Sequence, residues 1–290
     1  MKNILITGAT GNAGKAVVHY LFKKEAKHNI IAGVRNIEKA RHQFENYPQL
    51  KFREFDFTNI HTFEKSLENI DSVFLLRPPQ ISDVSTYFQP LIDIMKKQAV
   101  KEIIFLSVQG VEKSKIIPHH KIEALVRESG IDHIFLRPGY FMQNLTTTLF
   151  NDIQQKNQII LPAGKAKFNW VDVENIAEVA AILLNEFAPY QNQACEITGY
   201  ENLNFSKVVE IINKTLSTDI TYKNVNPFTF YRMKKKEGVE KMKILVMIML
   251  HFLPRFQKEP DISKFYEQLT GQKPTSLSEF VKREKDQFLI

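Results

Sequence analysis

The sequence predicts an α/β fold: a doubly wound parallel sheet with a second, smaller α+β domain at the C-terminal end. Three observations carry this expectation. Strand-like and helix-like segments alternate through the first half of the chain. The central strands are continuous apolar runs such as Ile103-Ile104-Phe105-Leu106. A glycine-rich turn, Gly8-Ala9-Thr10-Gly11-Asn12-Ala13-Gly14, lies between the first strand and the first helix. Regular alternation implies parallel strands joined by helical crossovers. Unbroken apolar strands suit a sheet covered on both faces.

Strand-like runs fall at 4–7, 30–34, 51–55, 72–76, 102–107 and 133–137. Helical periodicity occupies 12–27, 37–44, 62–67, 84–98 and 119–128. After residue 150 the alternation fails, which divides the chain into a first domain at 1–150 and a smaller one at 151–290. Strand-like segments follow at 168–171, 195–198 and 220–223, with helices at 173–184, 205–216 and 227–236. The helix at 173–184 is expected to pack back on the first domain. Asp172 suits its N-cap. The run 244–250 is the most apolar stretch and reads as a buried helix or one covering a site. The tail 277–288 reads as a charged amphipathic helix.

The chain has 290 residues, of which 43% are hydrophobic, enough for a sizeable core. Its net charge of +7 raises the question of nucleic acid. The basic residues are dispersed, the only tight run being Lys234-Lys235-Lys236, and no zinc spacing occurs, so direct nucleic-acid binding is not expected. A single cysteine, Cys195, excludes an intramolecular disulfide and a multi-cysteine metal site. No metal centre is predicted; neighbouring His119 and His120 point in different directions. No apolar stretch is long enough to span a bilayer, and the first strand starts without a charged-then-apolar leader, so the expected location is cytoplasmic.

Ligands of such sheets bind at the carboxyl ends of the strands. Gly8 permits the tight turn, Gly11 admits a pyrophosphate, and Gly14 allows close helix–strand packing. Thr10, Asn12 and Ala13 complete the turn, and the helix N-terminus adds N–H groups and partial positive charge. The second strand ends Val34-Arg35-Asn36. An acid here would grip a ribose 2′-hydroxyl, whereas Arg35 suits a 2′-phosphate, with Lys39 and Arg41 as helpers. Asp56 and Phe57 border an adenine, or Asp56 caps a helix starting near Thr58; both readings stand. Leu76, Arg77 and the two prolines that follow form an extended exit past the ligand. The fifth and sixth strands close on Ser107 and on Arg137-Pro138-Gly139-Tyr140, where polar and aromatic groups converge.

Together these residues resemble the NmrA-like branch of the atypical short-chain dehydrogenase/reductase family. The match rests on 7–14, Val34-Arg35-Asn36, Ser107-Val108-Gln109-Gly110, the helix bearing Lys121, 136–144, 171–177 and 270–274 leading into Phe280. The resemblance implies a Rossmann core that binds NADP(H) and a small domain closing over the nicotinamide end. Lys121 would then hold the nicotinamide ribose. The wider family carries a catalytic tyrosine four residues before that lysine, where this chain has Ile117; Ser107 occupies the position of the family's serine. Ordinary alcohol chemistry is therefore not expected. The implied function is an NADPH-dependent oxidoreductase passing hydride to a quinone-like or azo acceptor, a small apolar or aromatic substrate. Lys121, Ser107 and Tyr140 form its catalytic set, and Phe141 with the methionine-rich run its apolar wall. The alternative is a non-catalytic NAD(P)-binding redox sensor acting through a regulatory protein partner. The oligomeric state is left open.

Overall fold

The computed structural model describes residues 1–24 and 28–289. In chain order the strands are β1 (Asn3–Ile6), β2 (Asn29–Val34), β3 (Lys51–Glu54), β4 (Ser72–Leu76), β5 (Glu102–Leu106), β6 (Asp132–Pro138), β7 (Tyr140–Phe141), β8 (Gln158–Leu161), β9 (Phe168–Val171), β10 (Gln193–Ile197), β11 (Asn202–Leu203) and β12 (Thr221–Asn224). The helices are α1 (Asn12–Lys23), α2 (Ile37–Gln43), α3 (His61–Leu67), α4 (Val84–Lys97), α5 (Pro118–Ser129), α6 (Phe150–Lys156), α7 (Val173–Asn185), α8 (Phe205–Leu216), α9 (Pro227–Lys236), α10 (Lys241–Phe252), α11 (Phe265–Thr270) and α12 (Leu277–Arg283). The first helix was expected over 12–27; residues 25–27 lie outside the described residues.

Two compact units result, 1–138 with 173–197 and 139–172 with 198–290. The first break therefore falls after Pro138 rather than at 150, and the chain re-enters the first unit at Val173. The first unit holds a seven-stranded parallel sheet in the order β10-β6-β5-β4-β1-β2-β3. Its order reverses between β1 and β4, the switch point where α/β sheets open a crevice for ligands. Alternation decides which face each side chain takes. Leu5, Ile31, Val73, Ile103, Phe105 and Phe135 share one buried cluster with residues of α3, α4 and α5. Helix α1 buries Ala13, Gly14, Ala16, Val17, Val18 and Leu21, and its continuation is tied to α7 by the Lys24–Glu178 ion pair at 3.1 Å.

The second unit contains β11-β9-β7 and a parallel β12-β8 pair. Trp170, Phe205, Phe230 and Phe280 are fully buried there, and the Trp170 Nε1 proton goes to the Leu203 carbonyl at 3.0 Å. Asp172 receives hydrogen bonds from Gln143 at 2.6 Å and from Arg283 at 2.7 Å. Helix α12 opens with a reciprocal Ser276–Glu279 capping box. Helix α10 departs from expectation: only Ile244, Met247 and His251 are buried, Ile248 packs half-buried against the same core, and Met242, Leu245, Val246, Met249 and Leu250 are exposed. Among the described residues, no helix is long and apolar enough to cross a membrane.

Candidate functional site

The glycine turn divides its labour. Thr7 is buried at the end of β1; its N–H and its hydroxyl both donate to the Phe74 carbonyl at 3.0 Å, and the hydroxyl accepts from the Leu76 N–H at 2.9 Å. This fixes β1 to β4 where the crevice opens. Gly8 has φ +60°, in the left-handed region, and a Cβ there would come 3.1 Å from Leu76 Cδ2. A Cβ on Gly14 would sit 2.3 Å from the Gly8 carbonyl oxygen, so Gly14 is demanded by the protein's own packing. A Cβ on Gly11 would meet only that same oxygen, at 3.4 Å. Nothing in the fold requires Gly11 to lack a side chain.

Gly11 is also the N-cap of α1, and no side chain caps that helix end. Thr10, Gly11 and Asn12 are exposed while Ala13 and Gly14 are buried beneath them. The Thr10 carbonyl is held by Gln43 Nε2 at 3.2 Å. A bare glycine over uncapped helical N–H groups fits a pyrophosphate: it offers donors, partial positive charge and room.

Arg35 follows β2 at the same sheet edge, exposed and with no ion-pair partner among the described residues. Asn36 caps α2 through the Lys39 N–H at 2.8 Å. Arg41 leaves the site: its guanidinium lies over the Phe52 ring at 5.2 Å and faces a hollow that also contains Asn3 and Lys51, the first residues of β1 and β3. That hollow is at the amino ends of the strands, so Arg41 is no helper there. Asp56 Oδ1 accepts from the Thr58 N–H at 2.9 Å and from its hydroxyl at 2.8 Å, an Asx turn. The helix itself begins later, at His61. Phe57 is a core residue, edge-on to Phe55 at 4.8 Å and tilted on Phe88 at 5.4 Å. Its ring is spent on the interior rather than offered to an adenine.

Beyond β4, Arg77 folds back on its own loop. It donates to the carbonyls of Pro78 (3.1 Å), Pro79 (3.2 Å) and Ile81 (2.6 Å), and its Nε donates to His119 Nε2 at 3.3 Å. The guanidinium is always a donor, so His119 must present a bare Nε2 and carry its proton on Nδ1. Burial, with the Arg77 charge beside it, pushes the imidazole down to about 3. His119 is therefore a neutral imidazole at ordinary pH, with its one proton on Nδ1.

Ser107 is committed too. Its hydroxyl donates to Glu123 Oε1 at 2.7 Å, and Glu123, 1% exposed, also receives Arg137 Nε at 3.0 Å, Arg137 at Oε2 at 2.7 Å and Arg127 at 2.7 Å. Burial raises the Glu123 carboxyl, but the bonds from Arg137 and Ser107 and the two arginine charges outweigh it and hold it below its usual value. Ser107 thus anchors the end of β5 to α5 and β6; as a donor to an acceptor molecule it is already used. Lys121 is exposed on α5 and lines a hollow of about 360 Å³ with Ser82, Asp83 and Gln89. No hydrogen bond or ion pair joins it to Ser107 among the described residues. Pro138 is buried at the end of β6, with its carbonyl accepting from the Gln109 N–H at 2.9 Å.

Tyr140 belongs to the second unit and is bound within it. Its ring packs on Trp170 at 4.7 Å and Phe168 at 5.2 Å. Its hydroxyl lies 2.9 Å from His251 Nε2, while His251 Nδ1 meets the Met247 carbonyl at 2.7 Å. The carbonyl requires the proton on Nδ1, so the tyrosine donates to Nε2. Burial pushes the Tyr140 phenol above its ordinary value and the His251 imidazole down to about 4. The Tyr140 hydroxyl proton is thus engaged by His251 within the second unit. Sequence reasoning missed Glu123 and its ion pair with Arg137, a residue placed only at the strand edge, and it missed His251. A signal existed for the first two: a carboxylate beside Ile122 on a buried helix face, and an arginine closing the apolar run Ile134-Phe135-Leu136.

The sequence pattern of the NmrA-like family matches residues 1–281. The chain belongs to the NmrA-like family. Prestalk A differentiation protein A of Dictyostelium discoideum is 30% identical over 97% of this chain and 91% of that protein. An NAD(P)H azoreductase of Xenophilus azovorans is 29% identical over 76% of each. The crystal structure of the NADPH-dependent quinone oxidoreductase of Escherichia coli complexed with NADPH superposes with a TM-score of 0.85 at 23% identity, covering 97% of this chain and 99% of that one. Within this NmrA-like chain, the glycine turn and Arg35 are the parts whose geometry fits a dinucleotide.

Proposed function

We propose that this NmrA-like protein is an NAD(P)H-dependent reductase that delivers hydride to a conjugated acceptor of the quinone or azo type. One observation carries the reading. A glycine turn with an uncapped helix N-terminus stands open at the switch point of the sheet, and at the neighbouring strand ends Ser107 and Arg77 are already engaged by Glu123 and by the loop after β4. The azo-reducing and quinone-reducing relatives support the same class of acceptor.

Gly11 and the first N–H groups of α1 hold the pyrophosphate, and Arg35 takes the 2′-phosphate that distinguishes NADPH from NADH. Asp56, with Oδ1 bound to Thr58, has a second oxygen for the adenine amine. Leu76 and Pro138 border the path of the dinucleotide across the sheet edge, and Arg77 fixes the loop leaving β4. Lys121, beside Ser82 and Asp83, is assigned the nicotinamide ribose. When bound, the dinucleotide supplies the hydride. A ketone or alcohol needs a positioned acid or base as well, worth about a hundred- to ten-thousandfold in rate. His119, Ser107 and Ile117 provide none. A conjugated acceptor spreads the incoming charge and takes its protons from water, so positioning suffices.

The test is NADPH consumption followed by near-ultraviolet absorbance across quinones, azo dyes, aldehydes and simple alcohols run in reverse. Turnover with the conjugated acceptors is expected, falling about tenfold, the equivalent of about 1.4 kcal/mol, in Lys121→Ala. Turnover restricted to aldehydes and alcohols would overturn the proposal.

A further inference from the structure

Helix α10 is apolar on two opposite faces. Ile244, Met247 and His251 recur at helical spacing and are buried in the second unit. Met242, Leu245, Val246, Met249, Leu250 and, just past the helix, Leu253 recur with the same period on the other side, each between 39% and 55% exposed. The first face accounts for the helix's attachment. The second is a contiguous outward stripe of six large apolar side chains, well beyond the scattered singles normal on a surface. Phe256, 75% exposed, extends it.

The surroundings of that stripe are basic. At helical periodicity Lys241 and Lys243 stand at its two borders, both exposed. Lys235 and Lys236 precede the helix. Arg255 and Lys258 follow it and line a hollow of about 570 Å³ with Lys165 and Lys167. The nearby acids are occupied: Glu237 is paired with Lys156 and Lys234, Glu259, which lines the same hollow, is paired with Lys167 at 2.7 Å, and Glu240 caps α10 through the Met242 N–H at 3.2 Å. An apolar stripe edged by lysines is the arrangement of a helix lying in the plane of a lipid surface. Its apolar side chains enter the headgroup–acyl boundary, and its lysines extend sideways to the phosphates.

We propose that this face of α10 docks the protein onto an anionic phospholipid surface. Charge decides against a second copy of the chain as occupant. A two-fold contact sets a patch against itself, which would bring Lys241, Lys243, Arg255 and Lys258 against their own counterparts, with Glu259 already paired to Lys167 and Glu240 engaged in capping α10. An anionic bilayer supplies both the apolar layer and the opposite charge. Docking is peripheral, since no described helix spans a bilayer, and it is read out independently of any acceptor.

The experiment is co-sedimentation of the full chain with vesicles. One set is phosphatidylcholine alone; the other is an equal mixture of phosphatidylcholine and phosphatidylglycerol. Binding to the anionic set is expected, about tenfold or more over the neutral set and reversed by high salt. Leu245→Ser with Leu250→Ser should lower it about tenfold or more, and Lys241→Gln with Lys243→Gln by about tenfold or more. All four positions are exposed, so thermal unfolding and NADPH fluorescence titration should match the parent. No sedimentation with anionic vesicles, or undiminished sedimentation of the double leucine variant, would overturn the proposal. So would a dimer in sedimentation velocity that Leu250→Ser dissolves, because the face would then belong to a second copy.

Discussion

Gly11 and Gly14 are three residues apart and carry different loads. An added Cβ at Gly14 meets backbone at 2.3 Å, whereas one at Gly11 meets a single carbonyl oxygen at 3.4 Å. Gly14→Ala should therefore destabilise the fold, by about 2 kcal/mol or more given the backbone shift it forces. Gly11→Val should leave circular dichroism and the melting temperature near the parent while abolishing NADPH binding, because its branches fill the pyrophosphate's place. A folded Gly11→Val protein that still titrates with NADPH would show that the cradle is misassigned. Arg35 makes the complementary case. It is exposed and unpaired with any described acid, so a charge-assisted phosphate bond of about 1.5–3 kcal/mol is available to it. That corresponds to about ten- to a hundredfold preference for NADPH over NADH. Fluorescence titrations should give that ratio for the parent and near equality for Arg35→Ala; equal affinities in the parent would remove the role.

At the scale of elements, β5, α5 and β6 are joined by one buried polar knot, Ser107–Glu123–Arg137. Taking away one partner of a buried charge pair costs about 3–5 kcal/mol, so Glu123→Ala should lower stability by about that much in urea titrations. Ser107→Ala removes one neutral donor and should cost about 1–3 kcal/mol while leaving quinone-dependent turnover within about twofold of the parent. A collapse of turnover without loss of stability would return Ser107 to the reacting atoms. This knot also marks where the sequence stops being legible. The alternation, the apolar strands and the glycine turn depend on local spacing, and they foretell the parallel sheet and the tight turn that opens α1. Ser107, Tyr140 and Phe57 were read from their places at strand ends, but their partners are distant in sequence: Glu123, His251 and Phe88. Position along a strand locates a side chain at an edge; it does not say what already holds that side chain. The break after Pro138 was hidden for a similar reason, because the return of β10 to pair with β6 is a long-range event.

Across the whole molecule, each compact unit contains one histidine kept neutral by its surroundings: His119, pushed down to about 3, and His251, pushed down to about 4, both from an ordinary value of 6.5. In the unfolded chain both take up protons as pH falls through about 6.5, while in the folded chain neither does until far lower. The unfolded state thus binds more protons throughout this window. Stability is complete above the unfolded value and is lost progressively as pH falls from about 6.5 towards 4. The limiting slope is about 1.4 kcal/mol per pH unit for each histidine. Glu123 enters only at more acid pH, because its folded carboxyl is held below the ordinary value and its contribution disappears as pH falls through that lowered point. The two units should therefore weaken together in mild acid, before Glu123 is protonated. Urea denaturation at steps between about pH 7.5 and 5.5, one unit to either side of the free imidazole value, measures this. His251→Gln keeps an acceptor for Tyr140 and a donor for the Met247 carbonyl, so it removes the titration with little change in packing. Its acid slope should be shallower than the parent's by about one proton's worth. Parallel parent and variant curves across that range would mean that His251 takes up its proton in the folded chain as readily as in the unfolded one, and at the acid end the Tyr140 hydrogen bond would then have to run the other way.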